Sequence, residues 1–493
     1  MRLTPTYHTL VFYRRKGIVM GLAQVQIQIL SQHQLPHHID LVMSQALAKK
    51  LEIKTPVFSV AFGSAIAKGR VAFSRMNHKL ICISSELAEQ LKMNPQPWIR
   101  AHFDAHSLRL RFGPVFGILI NAHPQEKRAQ PFGLMTKFLD ECITAGQMRG
   151  IRVAVITPEH IDLNRNETTV WIKQKNRWQC TKYPLPDVIY NRINSRRFEQ
   201  QESLQKKMSL LKNLFRIPIF NERFLDKLQV YQILVQDEAI RSRLPETYSF
   251  RDPRALSLFK RYSTVYLKPT NGSLGSGIIK ITHSKNRWIY QLSTPGGTVR
   301  RTLKNHSSLM KLLKQKIRSQ PYIAQQGLRL MKFDYRPVDF RILAQKTKEG
   351  VWKITSSVAR IANIQHIVSN LARGGTIRKA SDVLKELSYP NKPSIHQLRA
   401  AALDIAKTFE RLADGHFAEL GIDLAIDVHG KIWLIEINSK PSKTDDTVIN
   451  PNSHFRPSVL RLIDYVLYLS KQGKHPPAPS PSTTSGIMRR QRR

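Results

Sequence analysis

The chain has 493 residues, 41% of them apolar, enough for two to four domains with their own cores and too apolar for an unfolded polymer. Lysine and arginine number 78 against 35 acidic residues, a formal charge of +43, so nucleotides, nucleic acid, anionic polymers and membrane surfaces all qualify as partners on charge alone. Three cysteines without framework or metal-type spacing exclude a disulfide scaffold and a cysteine zinc site, and no apolar run approaches the roughly 20 residues of a membrane span.

The first residues are basic and lack a secretory apolar core, so the expected location is the reducing cytoplasm, with Met20 a second candidate start beside Met1. An internal echo follows. "LVMSQALAKKLEI" (41–53) and "ICISSELAEQLKM" (81–93) align without gaps, each reading as strand, serine cap and short helix. With the strand "VFSVAF" between them, they predict a duplicated β-rich domain over residues 20–112, barrel-like with pseudo-twofold symmetry; two unrelated capped helices are the alternative. From residue 113 to 212 the strands "VFGILINA", "RVAVITP" and "DVIYNRI" alternate with a helix over 134–148, the pattern of a small three-layer α/β domain.

Residues 213–470 form the longest region. "FLDKLQVYQIL" places Lys227 near a helix start. "TVYLKPTNGSLGSGIIKI" is a strand ending at Lys268-Pro269, a loop with Gly272, Ser273, Gly275 and Gly277, and a second strand from Ile278. Glycines allow backbone N–H groups to approach phosphate oxygens, and the lysine supplies charge; the order differs from a P-loop, in which the lysine follows the glycines and a helix comes next. "YIAQQGLRLMKFDYRPVDFRILAQK" predicts a strand, a break at Gly327, then a strand with Asp339 and Arg341 on one face. "SVARIANIQHIVSNLARGGTI" adds Arg360, Asn370, Gly374 and Gly375. Guanidinium groups suit a transferring phosphoryl group, although each arginine read singly is equally an ordinary surface residue.

"GIDLAIDVHGKIWLIEINSKPS" is the most informative stretch. With His429-Gly430 as a two-residue turn between alternating strands, Asp423 lies opposite Glu436 and on the side of Asn438. Leu424, Ile426, Val428, Trp433, Ile435 and Ile437 form the core face. Two opposed carboxylates repel, and a hard divalent cation taking carboxylate and amide oxygens would relieve them. Either acid alone is more simply a solvated surface charge; the set in register argues for the ion. Beyond this, residues 471–493 are rich in proline, serine and basic residues and predict a disordered basic tail.

The order Lys227, Lys268 with its glycine loop, Gln325-Gln326-Gly327-Leu328, Asp339-x-Arg341, Asn370 and Asp423 with Glu436-x-Asn438 resembles the ATP-grasp superfamily, and within it the YheC/YheD-type endospore coat-associated proteins. The resemblance covers roughly residues 115–470 and implies two α+β lobes clasping a nucleotide, preceded by the α/β and duplicated β-rich domains. By this resemblance Lys227, Lys268 and the loop residues Gly272, Ser273, Gly275 and Gly277 contact ATP phosphates. Gln325, Gln326, Gly327 and Leu328 meet the adenine, Asp339 joins the nucleotide contacts, and Asp423, Glu436 and Asn438 hold one or two Mg²⁺ ions, with Mn²⁺ an alternative. Arg341, Arg360 and Asn370 would stabilise an acyl phosphate or orient the acceptor.

The expected activity is ATP-dependent joining of a carboxylate to an amine or thiol, acting on a peptide or on an anionic cell-envelope or spore-coat component, with spore-coat association by resemblance. A non-catalytic nucleotide-binding coat scaffold is the alternative. Sequence-specific nucleic-acid binding is disfavoured because no zinc-finger spacing, RNA-binding signature or heptad-linked basic region is found. Two departures from the family pattern stand out: Lys440 in "NSKPS" beside the metal residues, and no acidic residue directly after Gln326 for the ribose.

Overall fold

The computed structural model describes residues 21–121, 130–174, 177–272, 275–284, 287–294, 296–317, 320–363, 375–443 and 455–472. Two compact units are present, one ending at Gly113 and taking in Arg149–Ile151, the other comprising the remainder. Both candidate starts, Met1 and Met20, lie outside the described residues, as does the tail beyond Gln472.

In the first unit seven strands between Gly21 and Phe112 close into a barrel. The two echo segments adopt one geometry. Leu41–Ser44 and Leu80–Ser84 pair with each other antiparallel, and each runs parallel to a longer strand, Ala65–Ser74 and Gly21–Leu30 respectively. Ser44 and Ser84 cap their helices by accepting from Leu47 N and Leu87 N, both at 3.1 Å. Each helix is then followed by a non-glycine residue of positive φ, Glu52 (61°) and Lys92 (52°), and closes with Ile53 N donating to Ala48 O and Met93 N to Ala88 O. Both segments therefore pair, cap and end alike, as a duplication predicts, although a left-handed residue after a helix is common in itself.

The second unit begins with a mixed sheet in the spatial order Arg177–Pro184, Glu167–Gln174, Arg152–Asp162, Val115–Leu119, Val188–Asn191, Ile219–Phe220. The inner strands are parallel, as the alternation with helix Thr136–Met148 predicts. The first two form an antiparallel hairpin the sequence reading did not include. Ile219–Phe220 pairs with Val188–Asn191, so the sheet takes its last strand from beyond residue 212.

A six-stranded antiparallel sheet follows, ordered Thr247–Ser249, Tyr322–Gln326, Thr264–Pro269, Ile279–Ser284, Arg287–Thr294, Gly297–Leu303. Val265, Leu267, Ile279 and Ile281 face helices Arg254–Arg261 and His306–Ile317 in its core. The last sheet orders Thr376–Lys379, Trp352–Ile361, Arg336–Lys346, Glu419–Ile426, Ile432–Asn438. Its apolar face packs on helices Ile395–Leu412, Ala380–Glu386 and Lys227–Leu234. Both sheets therefore bury one face and leave the other for polar side chains. Among the described residues no helix is long and apolar enough to cross a membrane.

The carboxylate hairpin departs from its expected form near the turn. Gly421–Asp423 pair with Glu436–Asn438 in the expected register, but a bulge then shifts Leu424 opposite Leu434 and Ile426 opposite Ile432. The core face is consequently Leu420, Ile422, Leu424, Ile426, Ile432, Leu434 and Ile437. Trp433 points instead to Asp427, to whose Oδ2 it donates at 2.8 Å, and Ile435 and Val428 are only half-buried. The turn is longer than His429-Gly430 because Asp427 Oδ1 accepts from both His429 N and Lys431 N, each at 3.0 Å.

Candidate active site

Three neighbouring strands put Arg341 opposite Asp423 and Asp423 opposite Glu436, a single cross-strand row on the polar face. The next strand puts Arg360 opposite Asp339. Arg341 donates through Nε to Asp423 Oδ1 and through Nη2 to Oδ2 at 3.0 Å. Arg360 donates through Nη2 to Asp423 Oδ2 at 2.8 Å and through Nε to Asp339 Oδ1 at 2.6 Å. Asp423 is 4% exposed and Arg341 8%. Burial pushes the Asp423 carboxyl up, but the two guanidinium groups outweigh it and hold it below the ordinary carboxylate range. Burial opposes the charge on Arg360 as well, and Asp339 and Asp423 reverse the effect, raising its pKa.

The repulsion expected between Asp423 and Glu436 is thus already compensated by protein cations. Glu436 Oε1 accepts from Lys227 Nζ at 3.1 Å. Arg341 and Arg360, expected to face a transferring phosphoryl group, are turned onto aspartates, and Asp339, expected among nucleotide contacts, is the partner of Arg360. Asn438 lies opposite Gly421, where an added Cβ would meet Pro441 Cβ at 3.0 Å and Arg341 Cδ at 3.4 Å. A bare glycine there keeps the row open beside the amide.

Lys227 is the first residue of helix Lys227–Leu234, capped by Asp226. Its Nζ also donates to Gly272 O at 2.7 Å, so one ammonium group joins the glycine loop to the carboxylate hairpin. Lys268 donates to Gln325 Oε1 at 2.6 Å. Burial pulls Lys268 down to about 8, with Glu436 pulling the other way and Lys227 assisting the fall. Gly275 and Gly277 adopt φ of 67° and 73°, conformations that favour glycine, and Tyr322 OH anchors the loop by donating to Gly277 O at 3.1 Å. Ser273, Asn370 and Gly374 lie outside the described residues, so the structure does not place them.

At the hinge, Gln326 N donates to Glu246 O at 2.8 Å and Gly327 N to Thr264 O at 2.9 Å. A Cβ at Gly327 would fall 2.5 Å from that oxygen, so the close approach requires glycine. Leu328 N makes no hydrogen bond among the described residues.

One feature escaped the sequence reading. Lys280, between buried Ile279 and Ile281 and opposite Tyr266, shares the polar face of Lys268; the alternation in "GIIKIT" was the available signal. Lys440 points away from the carboxylate row, donating to Glu199, to Asn191 Oδ1 at 2.9 Å and to Ile193 O at 3.1 Å. It fastens the hairpin end to the mixed sheet instead of facing Asp423, Glu436 and Asn438.

The donor set fits a hard divalent cation. Asp423 and Glu436 are fixed side by side, Asn438 adds an amide oxygen, and no sulfur or imidazole intervenes. Among the described residues no cluster of three or more His, Cys, Asp or Glu side chains can hold a metal. An ion bound here therefore relies on amide, water and phosphate oxygens to complete its shell.

The family model described as "YheC/D like ATP-grasp" matches residues 216–469, just over half of the chain. The endospore coat-associated protein YheD of Bacillus subtilis (strain 168) is 27% identical over 416 residues, 84% of this chain and 90% of that protein. The endospore coat-associated protein YheC of the same organism is 24% identical over 308 residues, 61% of this chain and 84% of that protein. Among solved structures, D-alanyl-alanine synthetase A from Vibrio cholerae aligns over 72% of this chain and 99% of its own, at 11% identity and a TM-score of 0.43.

Proposed function

Since the chain belongs to the YheC/D-like ATP-grasp family and has its fold, we propose that it is an ATP- and Mg²⁺-dependent ligase that activates a carboxylate as an acyl phosphate and passes it to an amine. The observation that carries this reading is the row Arg341, Asp423, Glu436 with Lys227 and Lys268 brought to it from a helix and from the other lobe.

In this reading Lys227, Lys268 and Lys280 hold phosphate oxygens, the loop from Gly272 to Gly277 closes over them, and Leu328 N–H donates to the adenine edge. Asp423, Glu436 and Asn438 would hold the divalent ion, which when bound supplies charge neutralisation to the phosphates. The protein itself supplies alignment and fixed positive charge, with no nucleophilic side chain in the set. Arg341 and Arg360 stand where charge develops, held on Asp423 and Asp339 until the phosphoryl group competes for their donors. The acyl group, the γ-phosphoryl and the incoming amine balance as carboxylate plus ATP giving acyl phosphate plus ADP, then amide plus phosphate. The cytoplasm and the forming spore coat are the proposed places of action, the latter by analogy with the coat-associated relatives.

A specific observation favours the second reading, a coat scaffold that binds nucleotide without turnover: both oxygens of Asp423 accept from guanidinium donors, and Glu436 Oε1 accepts from Lys227. Hydroxylamine trapping separates the two. With ATP, Mg²⁺ and a panel of small and peptide carboxylates, the ligase reading expects hydroxamate to form and Glu436→Gln to abolish it. Nucleotide binding without hydroxamate from any carboxylate selects the scaffold.

A further inference from the structure

Within the mixed sheet, Arg152–Asp162, Val115–Leu119, Val188–Asn191 and Ile219–Phe220 lie side by side and parallel. The chain leaves Val115–Leu119 toward one edge and Val188–Asn191 toward the other, so their connections diverge at the carboxyl ends. In sheets of this kind that divergence opens the ligand crevice.

Arg192 is the first residue past this point, and its N–H donates to Leu119 O at 2.8 Å, fixing it between the two strand ends. Among the described residues its Nε and Nη1 are buried with no hydrogen-bond partner, and its guanidinium lies 5.7 Å from the centre of the Tyr190 ring. Glu419, the acid whose field reaches Arg192, is already taken by Tyr190 OH at 2.7 Å, Gln345 Nε2 at 2.7 Å and Lys443 Nζ. Leaving guanidinium nitrogens unpaired in the interior costs stability, and sites that keep such a cost are the ones a ligand completes.

The surroundings extend the positive charge toward the carboxylate row. Arg196 Nη2 donates to Leu225 O at 2.9 Å, and its guanidinium lies 4.7 Å from the centre of the Phe224 ring, which Lys440 approaches to 4.5 Å. Leu225 precedes Asp226 and Lys227, and Lys227 contacts Glu436. Arg196 and Lys440 thus share one buried acid, Glu199, and Arg192 adds its charge to theirs, along a path that ends at the proposed phosphoryl site.

We infer that this crevice holds an anionic group of the substrate that does not itself react, with Arg192 as its anchor, so that the ligase is specific for an acidic peptide. The inference rests on the ligase reading above. A reaction that joins carboxylate to amine calls for a substrate carrying such groups, and an acidic peptide has further carboxylates to spare for the anchor.

The test titrates fluorescein-labelled triglutamate, with triglutamine as control, into the full chain loaded with Mg²⁺ and a non-hydrolysable ATP analogue, nucleotide binding being measured on the same sample. Triglutamate should bind at least about tenfold tighter than triglutamine; Arg192→Met should remove that preference and Arg192→Lys retain part of it. Arg192→Met should melt at or above the wild-type temperature, because it removes two buried nitrogens left without partners and keeps an apolar stem. An Arg192→Met protein that retains the preference, a wild type without preference, or a variant that melts well below wild type would each overturn the inference while nucleotide binding persists. Failure to bind nucleotide at all would overturn the ligase reading and this inference with it.

Discussion

Replacing Asp423 by Asn should destabilise the lobe that carries the carboxylate hairpin far more than replacing Glu436 by Gln. Asp423 has a 6% exposed side chain and holds two guanidinium groups that are themselves 10% and 12% exposed. Removing one partner of a buried pair costs about 3–5 kcal/mol because the other charge stays buried. Arg360 would keep Asp339 at 2.6 Å, so only Arg341 is orphaned, and a loss near about 3 kcal/mol is expected. Glu436 and Lys227 are 26% and 13% exposed, and their pair is expected to contribute about 1 kcal/mol or less. Urea unfolding followed by tryptophan fluorescence, to which Trp352 and Trp433 of this lobe contribute, reads the difference. With a slope of about 3 kcal/mol per molar, Asp423→Asn should lower the midpoint by about 1 M. Adding Arg341→Gln should recover most of the loss, since both charges are then gone. Because the folded state holds the Asp423 carboxyl below its ordinary range, its contribution is present above about pH 4 and fades as pH falls further. A single variant within about 0.5 kcal/mol of wild type, or a double variant no better than the single, would refute the buried-pair reasoning.

Lys268, with its pKa lowered from 10.5 to about 8, costs folding stability while protonated, and that cost is relieved as pH rises from about 8 through 10.5. Nucleotide binding needs the protonated form, so affinity should fall by up to about tenfold per unit above pH 8, and Lys268→Arg should flatten the profile in calorimetric titrations. Gly327→Ala, which places a Cβ 2.5 Å from Thr264 O, should cost about 1–3 kcal/mol in urea unfolding and weaken ATP binding through the hinge; a neutral effect would show that the hinge relaxes freely. Lys440→Ala should leave Glu199 buried without its ammonium partner and lower the urea midpoint with a loss of about 3 kcal/mol; Lys440→Ala/Glu199→Gln should be more stable than the single variant.

Local periodicity made much of this legible. The alternation in "GIDLAID" and "IWLIEIN" places Asp423 against Glu436, because register and side-chain face are fixed together. The bulge near Ile435 was not legible, since it is decided by packing: both Leu434 and Ile437 reach the core, which strict alternation forbids. The serine caps of the two echo segments were legible for the same local reason, while the left-handed residues Glu52 and Lys92 carry no sequence signal of their own. Long-range pairing was the main loss. That Arg341 and Arg360 neutralise Asp423 depends on strands 63 or more residues apart in the chain, and that Lys440 meets Glu199 spans 241 residues. Charge spacing alone could only set the carboxylates against each other.

The measurement that bears most directly on the nucleotide site is calorimetric titration of ATP into the full chain with and without Mg²⁺, beside Lys268→Ala and Glu436→Gln. Saturable binding that requires Mg²⁺ and is lost in both variants, with their thermal melting close to wild type, is the predicted result. Binding that is indifferent to Mg²⁺ or to either substitution would contradict the assignment of Lys268 to the phosphates and of Glu436 to the metal.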